Sequence, residues 1–120
     1  MNKRLYSTEH LWFLEVESDS VLIGFTPYAP VTGQIESIAA TGVKGVVESN
    51  ASICIVETNK CTVEIQVPFP SILLAVNEQL IGDKDSLLLS EKWICKICPK
   101  VEEWKDLLLD ESSYILYAEE

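Results

Sequence analysis

Along the first three quarters of the chain, apolar residues recur at every second position or in short β-branched runs. That is the period of strands rather than helices. Positions 11–16 and 21–25 predict two strands joined across the polar connection Glu17-Ser18-Asp19-Ser20. Pro27 and Pro30 confine 26–32 to a loop or one short turn, because proline fixes its backbone angle and donates no hydrogen bond. Residues 33–39 predict a third strand, whereas 41–50, with Gly42 and Gly45, show little periodicity.

The clearest hairpin signal follows. Ile53-Cys54-Ile55-Val56 is an apolar run suited to a buried strand. Residues 62–67 alternate, with Val63, Ile65 and Val67 on one face and Thr62, Glu64 and Gln66 on the other. Between them lies Glu57-Thr58-Asn59-Lys60-Cys61, where Asn59 is expected to take the left-handed backbone of a tight reversal and Lys60 to project from the tip. Pro68-Phe69-Pro70 closes the strand, since prolines do not sit in a central ladder. Residues 71–76 and 93–98 predict the last strands. After Pro99 the spacing of Val101, Trp104, Leu107 and Leu108 predicts a helix, and Asp110-Glu111-Ser112 the start of another. About eight short strands and one or two helices imply a mainly β protein, a sandwich or flattened barrel with a helical appendage.

Composition narrows the functions open to such a fold. A length of 120 residues suits one domain, 1–120, with 100–120 as the appendage. Acidic residues outnumber basic ones 19 to 9, a formal net charge of −10, which repels phosphate backbones and argues against nucleic acid. The apolar runs at 72–76 and 87–89 fall far short of the roughly 20 residues that cross a bilayer. Tyr6-Ser7-Thr8-Glu9-His10 stands where a signal peptide would be apolar, so a cytoplasmic protein with reduced thiols is expected. Cys95 and Cys98 form a Cys-x-x-Cys, but on a strand residues three apart face opposite ways. Zinc would need two further ligands and the chain has 1 His, so buried structural thiols and no metal are expected.

No nucleophile elbow, phosphate loop or EF-hand loop is present. His10, beside Glu9 and close to Trp12, reads as a packed structural histidine, and no catalytic residue is assigned. Lys60 is different. A rigid hairpin that presents one primary amine suits a covalently attached arm, whose anchor must stay fixed while the arm moves between partners.

Here the chain resembles a family. Glu57-Thr58-Asn59-Lys60-Cys61 is similar to the Glu-Ser-x-Lys-Ala signature of the glycine cleavage system H-protein, in which the lysine bears lipoyl. Tyr6-Ser7-Thr8-Glu9-His10-Leu11-Trp12 resembles the family's Tyr-Ser-x-Glu-His-x-Trp, and Ile23-Gly24-Phe25-Thr26 with Tyr28-Ala29 its Ile-Gly-Ile-Thr-x-Tyr-Ala. Val76-Asn77-Glu78 and Trp93-Ile94-Cys95-Lys96-Ile97-Cys98-Pro99 are similar to its Val-Asn-Glu and Trp-Leu-x-Lys-x-x-Pro. Biotin carriers centre on Met-Lys-Met and 2-oxoacid dehydrogenase lipoyl domains on Asp-Lys-Ala, neither of which resembles Asn59-Lys60-Cys61.

The resemblance implies the hybrid barrel–sandwich lipoyl fold and a non-catalytic carrier with lipoate in amide linkage on Lys60. It implies that Glu57 helps present the lysine to the lipoylating enzyme, a lipoate ligase or lipoyltransferase. The implied partners are the pyridoxal-phosphate glycine decarboxylase (P-protein), the aminomethyltransferase (T-protein) and dihydrolipoamide dehydrogenase. The alternative is a carrier of the same build that stores or relays lipoyl groups outside glycine cleavage.

Overall fold

The computed structural model describes residues 3–17, 19–41, 45–82 and 91–119; the apolar run at 87–89 lies outside them. Among the described residues there are two antiparallel sheets. One orders its strands β1 (Leu5–Tyr6), β2 (Leu11–Glu17), β3 (Ser20–Phe25), β9 (Trp93–Pro99), β8 (Ser71–Val76) and β5 (Val46–Val47). The other places β6 (Ser52–Thr58) between β4 (Ile35–Ala40) and β7 (Thr62–Gln66). The expected strands are all present. The two that periodicity did not signal, β1 and β5, are two residues long and too short to carry a period.

Both sheets contribute to one apolar cluster. Phe13, Val21, Ile23 and Ile97 come from the larger sheet and Ile35, Cys54, Val56 and Ile65 from the smaller. The alternation in β7 is realised, with Ile65 fully buried and Thr62 and Glu64 exposed. Trp12 is buried, paired across the ladder with Gly24, and the Arg4 guanidinium lies 4.1 Å above its ring. A Cβ on Gly24 would overlap the Trp12 indole, so only glycine admits that side chain.

In the segment 100–119 the second expected helix is present, but the first is not an α-helix. Its first part is a 3-10 turn, Trp104–Leu107, which seats Trp104 in the core 5.7 Å from the Phe69 ring. The three-residue spacing of Val101, Trp104 and Leu107 is the period of such a turn. Backbone bonds between Tyr6 and Leu109 of 2.8 and 2.7 Å then tie the segment to β1. The only α-helix among the described residues is α1 (Glu111–Ala118), capped by Asp110 through a 2.8 Å bond from the Ser113 amide. No helix among the described residues is long and apolar enough to cross a membrane.

Candidate functional site

The β6–β7 ladder holds its register from Cys54 opposite Ile65 to Glu57 opposite Thr62, which leaves Thr58 through Cys61 to make the reversal. Thr58 N–H donates to the Cys61 carbonyl at 2.8 Å and closes it. The buried Thr58 hydroxyl then organises the tip. It donates to the Thr32 carbonyl at 2.6 Å and accepts from the amides of Lys60 and Cys61 at 3.0 and 2.9 Å. A threonine hydroxyl can replace a backbone turn partner in this way. The reversal is therefore built differently from the expectation. Asn59 does not take a left-handed backbone; among the described non-glycine residues only His10 and Asn50 do. Asn59 instead clasps the neighbouring strand, its amide donating to the Gln34 carbonyl at 3.1 Å and its Oδ1 accepting from the Gln34 amide at 2.9 Å.

Gly33 sits between the two halves of this clasp. Its φ of +91° lies in the region that favours glycine, and a Cβ there would overlap Asn59 Oδ1 and come within 3.1 Å of Thr58 Oγ1 and 3.2 Å of Lys60 Cγ. That Thr58 meets Thr32 and Gly33 is the part of the tip that sequence reasoning missed. The strand and loop signals placed them in separate segments, and nothing in either segment announces that they meet.

Lys60 is exposed at the tip, as expected from the hairpin pattern. Among the described residues no hydrogen bond or ion pair engages its ammonium group, whereas its backbone is fixed by Thr58. The clefts beside Lys100 and Lys105, and beside Arg4 and Glu111, do not include it. The side chain is thus an exposed primary amine on a hydrogen-bonded mount, open to acylation. Glu57 lies at the base of the tip, exposed on β6, between Ser37 of β4 and Thr62 of β7. Cys61 is half-buried beside the same clasp, with Sγ 3.5 Å from Thr58 Oγ1.

The other candidates lie apart from the tip. His10, left-handed at φ 65°, packs among the rings of Tyr28, Tyr114 and Tyr117, and its Nδ1 is 2.7 Å from Tyr114 Oη. This is the packed histidine that the sequence suggested. Of the Cys-x-x-Cys pair, Cys95 is fully buried and Cys98 half-buried. The neighbour of Cys95 is Cys54; hydrogen bonding between the two thiols and then burial push the Cys95 pKa well above the ordinary value. Among the described residues no three His, Cys, Asp or Glu side chains are grouped to hold a metal.

Comparisons with known proteins converge. The sequence profile of the family described as "Glycine cleavage H-protein" matches residues 4–120. The Pyrococcus furiosus protein named "Probable glycine cleavage system H protein" is 34% identical over 116 residues, covering 93% of this chain and 87% of that one. The Thermus thermophilus "Glycine cleavage system H protein" is 32% identical over 117 residues, covering 92% and 89%. In three dimensions the chain resembles the crystal structure of a glycine cleavage system H protein from Mycobacterium marinum, with a TM-score of 0.68, 20% identity and 93% of each chain covered. The two sheets therefore form the barrel–sandwich fold of that protein.

Proposed function

The chain belongs to the glycine cleavage H-protein family, a family of lipoyl carriers, and on that premise we propose that Lys60 is the lysine to which lipoate is attached. The observation that carries this reading is the tip itself: a solvent-exposed amine whose backbone is clamped by Thr58 and whose ammonium group has no partner among the described residues. The residues present fit the group. Amide formation needs a free primary amine and removes its charge, and neither requirement disturbs the bonds of the clasp. Lipoate held on Lys60 would supply a dithiolane on a long arm, the chemistry needed to carry an aminomethyl unit between the glycine decarboxylase and the aminomethyltransferase and to be reoxidised by dihydrolipoamide dehydrogenase.

The chain's own residues do mechanical work in this role. Thr58, Asn59 and Gly33 hold the anchor still, so that the arm's reach is set from a fixed point. Glu57, at the base of the tip, serves the lipoylating enzyme as a recognition carboxylate. The net charge of −10 favours fast encounter with basic partner surfaces, since charge complementarity raises association rates more than lasting affinity. In this role residues 1–120 act as one non-catalytic carrier domain in the cytoplasm.

Co-expression with a lipoate ligase, followed by intact-mass analysis, tests the anchor. The lipoyl increment should appear once and vanish in Lys60→Ala. Lys60→Arg should be equally unmodified, because a guanidinium keeps the charge but is no acylation nucleophile at neutral pH. An increment surviving either substitution sinks the assignment. Lipoylated protein should also support glycine–bicarbonate exchange by a related decarboxylase; full lipoylation without exchange transfers the reading to lipoyl relay outside glycine cleavage.

A further inference from the structure

Lys60 shares its turn with a second nucleophile. The signature that the tip resembles ends in alanine, and this chain puts Cys61 there. Cys54 and Cys95 are buried in the core and Cys98 lies on β9, so Cys61 is the thiol that stands beside the tip amine.

The fold brings both groups to one strip of backbone. Cys61 Sγ is 3.5 Å from the Thr32 carbonyl oxygen and 3.5 Å from Thr58 Oγ1. The stem of Lys60 passes over the next residue: its Cγ is 3.2 Å from the point where a Cβ on Gly33 would stand. Thiol and amine stem therefore both lie against residues 32 and 33, and the absence of a side chain at Gly33 leaves room for the lysine.

Two such groups can divide an acylation between them. At neutral pH a free thiol is a few per cent thiolate and strongly nucleophilic, whereas an alkylamine is almost wholly protonated. An acyl thioester is therefore met first by sulfur. Attack by Cys61 Sγ forms a bond to the acyl carbon, and the donor's carbon–sulfur bond breaks to release its thiol. The Lys60 ammonium gives one proton to water, and Nζ then attacks the same carbon. The Nζ–carbon bond forms, the Sγ–carbon bond breaks, and a second proton from nitrogen restores the Cys61 thiol. Nothing is oxidised or reduced. Neighbouring placement makes the second attack intramolecular, at an effective concentration on the order of millimolar.

We propose that Cys61 takes an acyl group from a medium-chain acyl thioester and hands it to Lys60 Nζ, so that the tip acylates itself once per chain. The inference deepens the carrier reading and rests on it for the kind of acyl group, lipoate being a medium-chain acid.

The test incubates the full-length chain, free of lipoate, with octanoyl-coenzyme A at about pH 8 and no ligase or transferase. Acylated sites are mapped by mass spectrometry before and after hydroxylamine, which cleaves thioesters and spares amides. Lys60 should gain a hydroxylamine-resistant octanoyl group. Cys61→Ala should slow that gain at least about tenfold. Cys61→Ser keeps a hydrogen-bonding group at the clasp without the thiol, so it should be equally slow; recovery in Cys61→Ser would make the residue merely structural and overturn the proposal. Lys60→Arg should stop at a hydroxylamine-labile octanoyl group on Cys61. Cys98→Ala should stay within about twofold of the parent, and circular dichroism should be unchanged in every variant. No acylation of the parent, acylation of Cys61→Ala at the parent's rate, or no thioester in Lys60→Arg overturns the handover. Lipoylation of the parent by a lipoate ligase, run alongside, reads the carrier assignment by itself: it can fail with the handover intact, or succeed with the handover absent.

Discussion

The lysine tip and the aromatic corner around His10 are both turns fixed by hydrogen bonds, and they differ in what their side chains contribute. At the tip, the shortest fixing bonds each have a backbone group on at least one side: Thr58 to Thr32, Lys60 and Cys61, Asn59 to Gln34. At the corner, backbone bonds from His10 N–H to the Ser7 carbonyl at 3.2 Å and from Thr26 N–H to the His10 carbonyl at 3.0 Å are joined by bonds and stacking between side chains. Tyr114 Oη lies 2.7 Å from His10 Nδ1 and 2.6 Å from Thr26 Oγ1, and its ring stacks on Tyr6 at 4.7 Å. The tip therefore leaves the Lys60 ammonium group without a partner among the described residues while its backbone amide is bonded to Thr58. The corner instead engages each ring it contains through stacking or a hydrogen bond. The difference shows why a carrier would keep its anchor on the first kind of turn: the mount can be rigid without touching the cargo.

The comparison breaks most readily at Gly33. Gly33→Ala adds a methyl that overlaps Asn59 Oδ1 on a backbone with φ of +91°. Strain and clash together should cost about 3 kcal/mol, read as a lower urea midpoint, and should slow lipoylation of Lys60. A variant as stable as the parent would show that the clasp opens without cost and that the tip is not rigid.

Thr58→Val comes next. It keeps the volume but removes the bond to Thr32 and leaves the Lys60 and Cys61 amides without their acceptor. The expected loss is about 2 kcal/mol, with Thr58→Ser recovering most of it. If Val and Ser behave alike, the hydroxyl is not what holds the turn.

How much of each region could be read in the sequence follows from the same contrast. The tip was legible because alternation through Val63, Ile65 and Val67 fixes both the hairpin and the outward course of Lys60. Its clasp was not, since Thr32 and Gly33 come from a loop 26 and 25 positions upstream of Thr58. Asn59 misled in a specific way: its side chain suits a left-handed turn and equally suits an amide clasp, and the second use prevails here. The corner was less legible still. It joins residues 104 and 88 positions apart through a two-residue strand and an eight-residue helix with a single buried residue, Tyr114. At Trp104 the spacing was read as α-helical, although the same residues at intervals of three fit a 3-10 turn that drives the indole into the core.

A milder change separates ring packing from hydrogen bonding at the corner. Tyr114→Phe retains the stack on Tyr6 and deletes the hydroxyl shared by His10 and Thr26. The loss should be about 1 kcal/mol, with lipoylation at Lys60 untouched. A drop in the lipoylation rate would mean that the two turns are mechanically coupled, contrary to their separate construction.

The smallest effect lies at the cap of α1, where the corner can be tested by pH alone. The Ser113 backbone amide, and then its side chain, bond to the Asp110 carboxylate and lower its pKa below the ordinary 3.8. A carboxyl depressed on folding stabilises the fold above its unfolded pKa and ceases to do so as pH falls through the folded value. Protection of the α1 amides from hydrogen exchange should therefore decline below about pH 4 in the parent chain. Asp110→Asn keeps an acceptor that does not titrate, so its protection should be lower at neutral pH but free of that decline. Asp110→Ala should lose protection at every pH. The tip amides of Lys60 and Cys61, bonded to a hydroxyl that does not ionise in this range, should show no matching step. An identical decline in Asp110→Asn would assign the acid sensitivity of the helix to another carboxylate.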